Sequence, residues 1–274
     1  MIAALVAAAS LARTSPPVPR FRHAIVVVFE NEEASSVLGS PAAPTFAALA
    51  RRGALLTHDD AVAHPSLPNY LALVSGSTHG IASDCTDCSV HARSLADTLE
   101  AARLTWKTYA EGIPAAGYTG AESAAGYAKK HDPFLYFDDV AASPRRRARV
   151  VPFPQLARDV RSKRLPTFSL VVPNLCDDMH DCPVATGDAW LKRELVPLLR
   201  LPGTVVFVTF DEGSSDEGGG GRVATLVLGP LVRPGARFTR ATSHYGLLRT
   251  LEQAWRLPFL GRSRAATPVT GIWR

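Results

Sequence analysis

The 274-residue sequence lacks an apolar run long enough to span a bilayer, an internal repeat and any stretch that looks like an interdomain linker. A transmembrane helix needs about 20 consecutive apolar residues, so we expect no membrane-spanning segment. Chains of about 250 residues with an α/β fold are often single domains. We therefore predict one domain, residues 21–274, after an N-terminal segment of residues 1–20.

The sequence also lacks a strongly basic region. The formal net charge is +5, and the only cluster of positive residues is residues 145–149 (RRRAR). This cluster lies between Ser143-Pro144 and Val150-Val151, so we interpret it as a solvated loop; a patch for nucleic acid or an anionic surface is the alternative. We expect no nucleic-acid partner, although a basic chain suits an anionic substrate.

Residues 1–12 form a short apolar stretch that ends in Ser10-Leu11-Ala12, a small-x-small pattern, and residues 13–19 are rich in proline. This organisation resembles a signal peptide, but the positively charged start is missing. The stretch is either a signal peptide that begins further upstream or only an apolar tail. A signal peptide would place the protein outside the cell or in the cell envelope.

The chain has four cysteines, Cys85, Cys88, Cys176 and Cys182. Four cysteines allow three pairings, and the two local bridges Cys85–Cys88 and Cys176–Cys182 are the simplest in an oxidising compartment. A four-cysteine zinc site is an alternative, although its two halves would have unequal spacing. A redox Cys-x-x-Cys is another, although no thioredoxin-like βαβ pattern surrounds it.

Two apolar, β-branched runs are each followed by polar side chains. Residues 24–28 (AIVVV) precede Glu30 and Asn31, and residues 204–208 (TVVFV) precede Asp211 and Glu212. Continuous runs of this kind are typical of parallel strands that are buried on both faces. Because ligands bind beyond the carboxyl ends of such strands, we expect these four side chains on one rim of a sheet.

Ser66 lies between these two groups in the sequence, in the turn of residues 64–70 (HPSLPNY). The prolines restrict the backbone, and the turn favours a hydroxyl at the start of a helix, where free amides attract an anion. Carboxylates, an amide oxygen and a hydroxyl together suit a hard cation or zinc. The sequence has no Gly-x-Ser-x-Gly, so a metal is a more natural activator of Ser66 than a Ser-His-Asp triad.

The rest of the sequence alternates between strand and helix patterns. We predict further strands at residues 105–109, 167–172 and 223–228, and helices at residues 44–52, 69–75, 94–102, 153–161, 189–199 and 244–255. Residues 112–149 are predicted to form long loops and short helices that cover the site. The alternation predicts an α/β fold with a mostly parallel central sheet and helices on both faces.

These features occur in an order and spacing that resembles the bacterial phosphoesterase family of acid phosphatases and phosphocholine-type phospholipases C, within the alkaline phosphatase superfamily. The resemblance covers residues 24–260 and rests on FEN, HPSLPNYLALVSGSTHG, TWKTYAEGIP, KHDPFLYF, VVPNLCDDMHD, GDAWL, TFDEG, LGP and HYGLLRTLE. It implies an alkaline-phosphatase-like fold. The SLPN turn is also similar to the TFPN turn that bears the nucleophile of nucleotide pyrophosphatases, which implies that Ser66, and not Ser75 or Ser77, is the nucleophile.

The resemblance implies that a metal ion is surrounded by Glu30, Asn31, Ser66, Asp211 and Glu212. Two aspartates are more usual at the last two positions in acid phosphatases. Glu212 departs from that pattern, so whether it binds the metal directly stays open.

The resemblance further implies that His131 and His180 face the phosphoryl group and act in catalysis with Ser66. Relatives with two zinc ions use an Asp and a His after the middle strand and a late His, which correspond here to Asp178, His180 and His244. The spacing from Asp178 to His180 is shorter than in the pyrophosphatases. One or two divalent ions, with Zn, Ca, Mg and Mn as candidates, are therefore both open.

We predict a secreted, metal-dependent phosphoric ester hydrolase that acts on a small-molecule or lipid phosphate ester. A sulfuric ester hydrolase of the same superfamily is one alternative. Sulfatases need a Cys/Ser-x-Pro-x-Arg pattern, whereas Ser66 is followed by Leu-Pro-Asn-Tyr. A non-catalytic cell-surface binding protein is the other alternative, and an assay separates it from an enzyme.

Overall fold

The computed structural model describes residues 18–274, so the predicted signal peptide lies outside the described residues. The strands are β1 His23–Phe29, β2 Ala54–Leu56, β3 Asp59–Asp60, β4 Trp106–Ala110, β5 Val150–Pro152, β6 Phe168–Val172, β7 Thr204–Phe210, β8 Thr225–Leu228, β9 Ala236–Phe238 and β10 Thr242–Ser243. The α-helices are α1 Ala34–Val37, α2 Pro44–Arg52, α3 Ser66–Ser75, α4 Leu95–Ala101, α5 Asp138–Ala141, α6 Pro144–Arg147, α7 Pro154–Arg161, α8 Val184–Trp190 and α9 His244–Trp255.

Within residues 18–274, the main sheet has eight strands in the order β5-β4-β6-β1-β7-β8-β2-β9. Strand β1 lies between β6 and β7 and is parallel to both. Strand β8 runs antiparallel to its neighbours β7 and β2. The predicted α/β fold with a mostly parallel central sheet is therefore confirmed, and the carboxyl ends of β1, β6 and β7 meet at one edge.

Alternate residues of β1 belong to two different hydrophobic layers. Ala24, Val26 and Val28 pack in one layer with apolar residues of α3, α4 and α9. Ile25 and Val27 pack in the other with apolar residues of α2, α7 and α8. Helices cover both faces of the sheet, as predicted, which explains why this central strand is apolar without alternation.

The predicted helix at residues 189–199 is wrong in its bounds and in its type. Helix α8 begins five residues earlier, at Val184, and is followed by a π-helical segment, Leu191–Leu195, and a 3₁₀ segment, Val196–Arg200. Pro197 has no backbone N–H and cannot make the usual helical bond to residue 193. The chain therefore passes through a wider and then a tighter turn in place of a continuous α-helix.

Short elements were missed for a different reason. Strands β2, β5 and β9 have three residues each, which is too few to produce a period-two pattern. The arginine cluster was interpreted as a solvated loop, but its first three arginines lie in helix α6. The Arg146 guanidinium pairs with Asp139, seven residues away, and with Asp97, 49 residues away. No local pattern indicated the pair with Asp97.

Both predicted disulfides are present: Cys85–Cys88 and Cys176–Cys182. Each closes a short loop, and the two loops follow helix α3 and strand β6, respectively. Among the helices of residues 18–274, none combines the length and the apolar character that crossing a bilayer requires.

Candidate active site

Strands β1 and β7 bring two carboxylates to the same level of the sheet edge. Phe29 pairs with Phe210 at the ends of these strands, so Glu30 and Asp211 follow side by side, and both are almost completely buried. The backbone N–H of Asp211 donates to the carbonyl oxygen of Phe29 at 2.9 Å. The backbone N–H of Glu30 donates to the carbonyl oxygen of Asp178 at 2.9 Å, which ties the loop after β6 to the same edge.

Ser66 is the first residue of helix α3 and its side chain points at this edge. Its Oγ donates a hydrogen bond to Glu30 Oε2 at 3.0 Å, and the residue is 2% exposed. One turn later, the hydroxyl of Tyr70 donates to the other oxygen of Glu30, Oε1. Residues four apart lie on the same face of a helix, so one face of α3 supplies both donors to Glu30.

His131 lies between two carboxylates. Its Nε2 is 3.2 Å from Glu30 Oε2 and its Nδ1 is 3.3 Å from Asp178 Oδ2, while its ring stacks on Tyr70 at a centroid distance of 5.3 Å. One ligand atom from each of Glu30, His131 and Asp178 lies within 4.8 Å of the other two. These three residues therefore form a group that could hold a metal ion.

The charges of this group depend on one another. Burial alone would raise the pKa of Glu30, but the positive charge of His131 and the hydrogen bonds from His131 and Tyr70 lower that pKa to about 2. Burial would likewise lower the pKa of His131, but the charge of Glu30 and the hydrogen bond with Asp178 raise it to about 10. The ion pair is thus held in its charged form without contact with bulk solvent.

Asp211 has the opposite balance. Burial, followed by repulsion from Glu30 and Glu212, raises the pKa of Asp211 well above its ordinary value. Its Oδ1 accepts the backbone N–H of Asn31 at 3.1 Å, but its Oδ2 is buried without a hydrogen-bond partner. Two buried carboxylates this close require a compensating cation or proton.

Two buried atoms around this edge have neither a hydrogen bond nor an ion pair within residues 18–274: Asp211 Oδ2 and His244 Nδ1. Buried polar groups are normally satisfied, and a carboxylate oxygen and an imidazole nitrogen are donor atoms that divalent cations prefer. The donor set therefore fits a divalent metal ion, and it does not select one element.

His244 contacts the backbone of Asp211. It is the first residue of α9, and its Nε2–H donates to the carbonyl oxygen of Asp211 at 2.6 Å. Burial lowers the pKa of His244 to about 4, which leaves Nδ1 as a neutral lone pair. This geometry differs from that of a helix cap and leaves Nδ1 able to bind a cation.

Asn31 and Glu212 lie at the margin of this group. Asn31 is exposed and has a φ of 59°, in the left-handed region that asparagine tolerates better than most residues. Glu212 Oε2 is 2.7 Å from Nδ1 of His64, two residues before Ser66. The longer side chain of Glu212 thus reaches the turn that carries Ser66, whereas Glu30, Ser66 and Asp211 are brought together at the centre.

His180 lies beside the group, next to a strained backbone position. Its backbone N–H donates to Asp178 Oδ1 at 2.8 Å, and its ring is 5.9 Å from that of His131. The intervening Met179 is buried with a φ of 80°, and a Cβ on Gly187 would lie 2.4 Å from the Met179 side chain. Met179 thus forms a tight turn between Asp178 and His180.

Four residues that contact this group were not singled out from the sequence: His64, Tyr70, Asp84 and Lys130. For Tyr70 a signal exists, because it follows Ser66 by four residues in a predicted helical region. It also occupies the place of the arginine in the sulfatase pattern, and its hydroxyl instead donates to Glu30. Asp84 lies in a loop and Lys130 in the short 3₁₀ helix Lys129–His131, and no sequence pattern indicates their contact with each other.

The chain matches the model of the phosphoesterase family over residues 27–258. It is 38% identical over 261 residues to the phosphatidylinositol-3-phosphatase of Mycobacterium tuberculosis, with 93% of this chain and 84% of that protein covered. It is 30% identical over 256 residues to a probable acid phosphatase of Kluyveromyces lactis, with 88% of this chain covered. The match spans 60% of the length of that yeast protein.

Solved structures have the same fold at low sequence identity. A Vibrio parahaemolyticus protein of the alkaline phosphatase superfamily superposes with a TM-score of 0.60 at 14% identity, covering 92% of this chain and 72% of that chain. Murine ectonucleotide pyrophosphatase/phosphodiesterase 5 superposes with a TM-score of 0.58 at 13% identity, covering 90% of this chain and all of that one. The chain belongs to the phosphoesterase family and is a phosphoric ester hydrolase.

Proposed function

We propose that the protein is a divalent-metal-dependent phosphatase in which Ser66 is the nucleophile. The observation that carries the proposal is the position of Ser66 Oγ, at the N-terminus of α3 and 3.0 Å from a buried carboxylate of the strand-end group. A helix N-terminus favours an incoming phosphoryl group. This position supports the Ser66 hydroxyl as the group that attacks phosphorus.

In the proposed reaction Ser66 Oγ forms a bond to phosphorus while the bond from phosphorus to the ester oxygen breaks. The proton that leaves Ser66 balances the one that the departing alcohol takes up. Water then attacks the phosphoserine, which releases phosphate and restores the Ser66 hydroxyl. Glu30 orients the Oγ–H of Ser66 before the first step, and the charge of His131 holds Glu30 in place.

Glu30 and Asp211 would hold the divalent ion, with Asp178 and Nδ1 of His244 as further donors. When bound, such an ion lowers the pKa of the attacking hydroxyl and offsets charge on the phosphoryl oxygens. The predicted roles of Asn31 and Glu212 as ligands stay proposals. His180, predicted as a catalytic histidine, is proposed to act at the phosphoryl side, where its ring neighbours that of His131.

For the substrate we propose a phosphate monoester, with a phosphoinositide as the first candidate. The mycobacterial relative carries this activity in its name and aligns with 93% of the chain. The matched acid phosphatases make a soluble monoester the second candidate. Both share a terminal phosphoryl dianion, which is the group that the strand-end site would bind.

A substrate panel on metal-loaded protein tests the proposal. We expect hydrolysis of p-nitrophenyl phosphate and of phosphatidylinositol 3-phosphate in vesicles, and little of bis-p-nitrophenyl phosphate or p-nitrophenyl phosphocholine. Ser66→Ala should abolish turnover. Ser75→Ala is the matched control, because Ser75 is a buried serine of the same helix whose Oγ bonds to Leu71 O and His79. If Ser66→Ala were as active as an active Ser75→Ala control, Ser66 would be rejected as the nucleophile.

We also propose that the protein is secreted or located in the cell envelope. The two disulfides support an oxidising compartment, and the predicted signal peptide agrees with export. Mass spectrometry of protein recovered without reductant should find no free thiol. Four free thiols would instead indicate a reducing compartment.

A further inference from the structure

Lys130 is a basic side chain at the rim that is more accessible than its neighbour His131. Its side chain is 20% exposed, compared with 1% for His131. Its Nζ donates to Asp84 Oδ2 at 3.0 Å and lies 3.2 Å from Nε2 of His180. An ammonium has three donors, and the third has no protein acceptor within residues 18–274.

Asp84 connects this ammonium to the helix of the nucleophile. Its second oxygen, Oδ1, accepts the backbone N–H of Leu67 at 2.9 Å, and Leu67 directly follows Ser66. The N-cap residue of α3 is Pro65, which provides no side-chain cap. Asp84 therefore caps the helix from a distant loop and at the same time fixes the ammonium two hydrogen bonds from the helix start.

His180 fixes the ammonium from the other side. Because an ammonium can only donate, Nε2 of His180 must accept from Lys130. Nδ1 then carries the ring proton, which is donated to Asp181 Oδ1 at 2.7 Å. In this arrangement the positive charge comes from Lys130, and His180 orients it.

The rim has more carboxylates than cations. Within the described part of the chain, the side chains that pair with Glu30, Asp84, Asp178 and Glu212 are His64, Lys130 and His131. Its contacts with Asp84 and His180 hold the Lys130 ammonium at this rim.

We propose that Lys130 binds a phosphoryl oxygen of the substrate through its third N–H, and that Asp84 and His180 position it. The proposal rests on the proposed function, because it needs a phosphoryl group bound at Ser66. A charge-assisted hydrogen bond to a phosphoryl oxygen contributes more than a neutral one. Lys130 would thus be a substrate-binding residue of this site in addition to the metal ligands.

The test is the dissociation constant of inorganic phosphate, measured by calorimetry on metal-loaded wild type, Lys130→Met, Lys130→Arg and Asp84→Asn. Lys129→Met is the matched control, since the neighbouring Lys129 Nζ instead donates to Thr86 O and lies over the Tyr136 ring. We expect Lys130→Met to weaken phosphate binding about tenfold or more and Lys130→Arg to retain part of it. Asp84→Asn should have an intermediate effect, and Lys129→Met should stay within about twofold.

Metal content and the unfolding midpoint of each variant identify the cause of a change. Weaker phosphate binding at unchanged metal content and midpoint supports the proposal. Wild-type phosphate binding by Lys130→Met overturns it, and so does a loss of metal or of folding in that variant, because either result would make the role structural. If wild type hydrolyses the monoesters and Lys130→Met binds phosphate as tightly as wild type does, only this inference fails. If wild type neither hydrolyses nor binds phosphate, the proposed function fails with it.

Discussion

The ends of β1 and β7 carry two buried carboxylates in equivalent positions with opposite electrostatics. Glu30 receives hydrogen bonds from Ser66 and Tyr70 and pairs with His131, and its pKa is lowered to about 2. Asp211 receives one backbone N–H and keeps an unpartnered oxygen, and its pKa is raised well above the ordinary value. Both strands are thus followed by a buried carboxylate, and hydrogen-bond donors from other segments give the two carboxylates opposite pKa shifts.

The difference between Glu30 and Asp211 explains why the site fits a cation. Glu30 is already compensated by protein groups, whereas Asp211 is not, so a bound divalent ion would gain most of its new contacts on the Asp211 side. Variants that affect one carboxylate and spare the other test this asymmetry.

The largest expected effect is a divergence between Glu30→Gln and Asp211→Asn. Both should lose metal and lower kcat by about 10³-fold or more, because each removes a carboxylate from the proposed metal set. Without metal their stabilities should differ in sign. Glu30→Gln should lower the free energy of unfolding by about 2–4 kcal/mol, because the buried charge of His131 loses its partner. Asp211→Asn should raise the free energy of unfolding by about 1–3 kcal/mol, because it removes the repulsion of Asp211 from Glu30 and Glu212.

Urea unfolding in the presence of a chelator measures this divergence, with Asp60→Asn as a control on a half-buried aspartate of β3, away from the ends of β1 and β7. Destabilisation of similar size in both variants would contradict the asymmetry between the two carboxylates.

Tyr70→Phe gives a smaller effect on the Glu30 side alone. The change removes one hydroxyl donor to Glu30 and retains the aromatic ring that stacks on His131. A hydrogen bond to a charged group contributes about 1.5–3 kcal/mol, so we expect stability to fall by about that amount and kcat by about tenfold. A variant with wild-type kcat and stability would show that Tyr70 does not orient Glu30.

Asp59→Asn gives the smallest effect and separates burial from function. Burial raises the pKa of Asp59, on β3, to about 7, above its value in the unfolded chain. The folded state therefore binds the proton more tightly, and wild type loses stability as pH rises from about 4 through 7. The stability of Asp59→Asn relative to wild type should therefore increase by about 1–3 kcal/mol from pH 5 to pH 8, while kcat stays unchanged. An identical stability difference at both pH values would contradict the assignment.

The main elements of the fold could be predicted because long buried strands and amphipathic helices leave local patterns. Helix α9 has the predicted bounds, and β1 and β7 appear where their β-branched runs indicated. The three-residue strands and the π-helical turn could not be predicted, because their stability comes from tertiary pairing and from Pro197.

The centre of the site was predictable for the same reason. Glu30 and Asp211 follow recognisable strands, and Ser66 begins a helix after a proline-rich turn. The contacts of Lys130 with Asp84 and of Glu212 with His64 join segments that are 46 and 148 residues apart. Only the folded chain brings such groups together, and no spacing in the sequence encodes their distance.

The central claim is that Ser66 becomes phosphorylated during turnover. Metal-loaded protein mixed with excess p-nitrophenyl phosphate, quenched in acid within the first turnovers and digested, gives a direct measurement by peptide mass spectrometry. We predict a phosphorylated peptide with the modification on Ser66, absent from Ser66→Ala and present in Ser75→Ala. Full turnover without phosphate on Ser66, or with phosphate on another residue, would contradict the account.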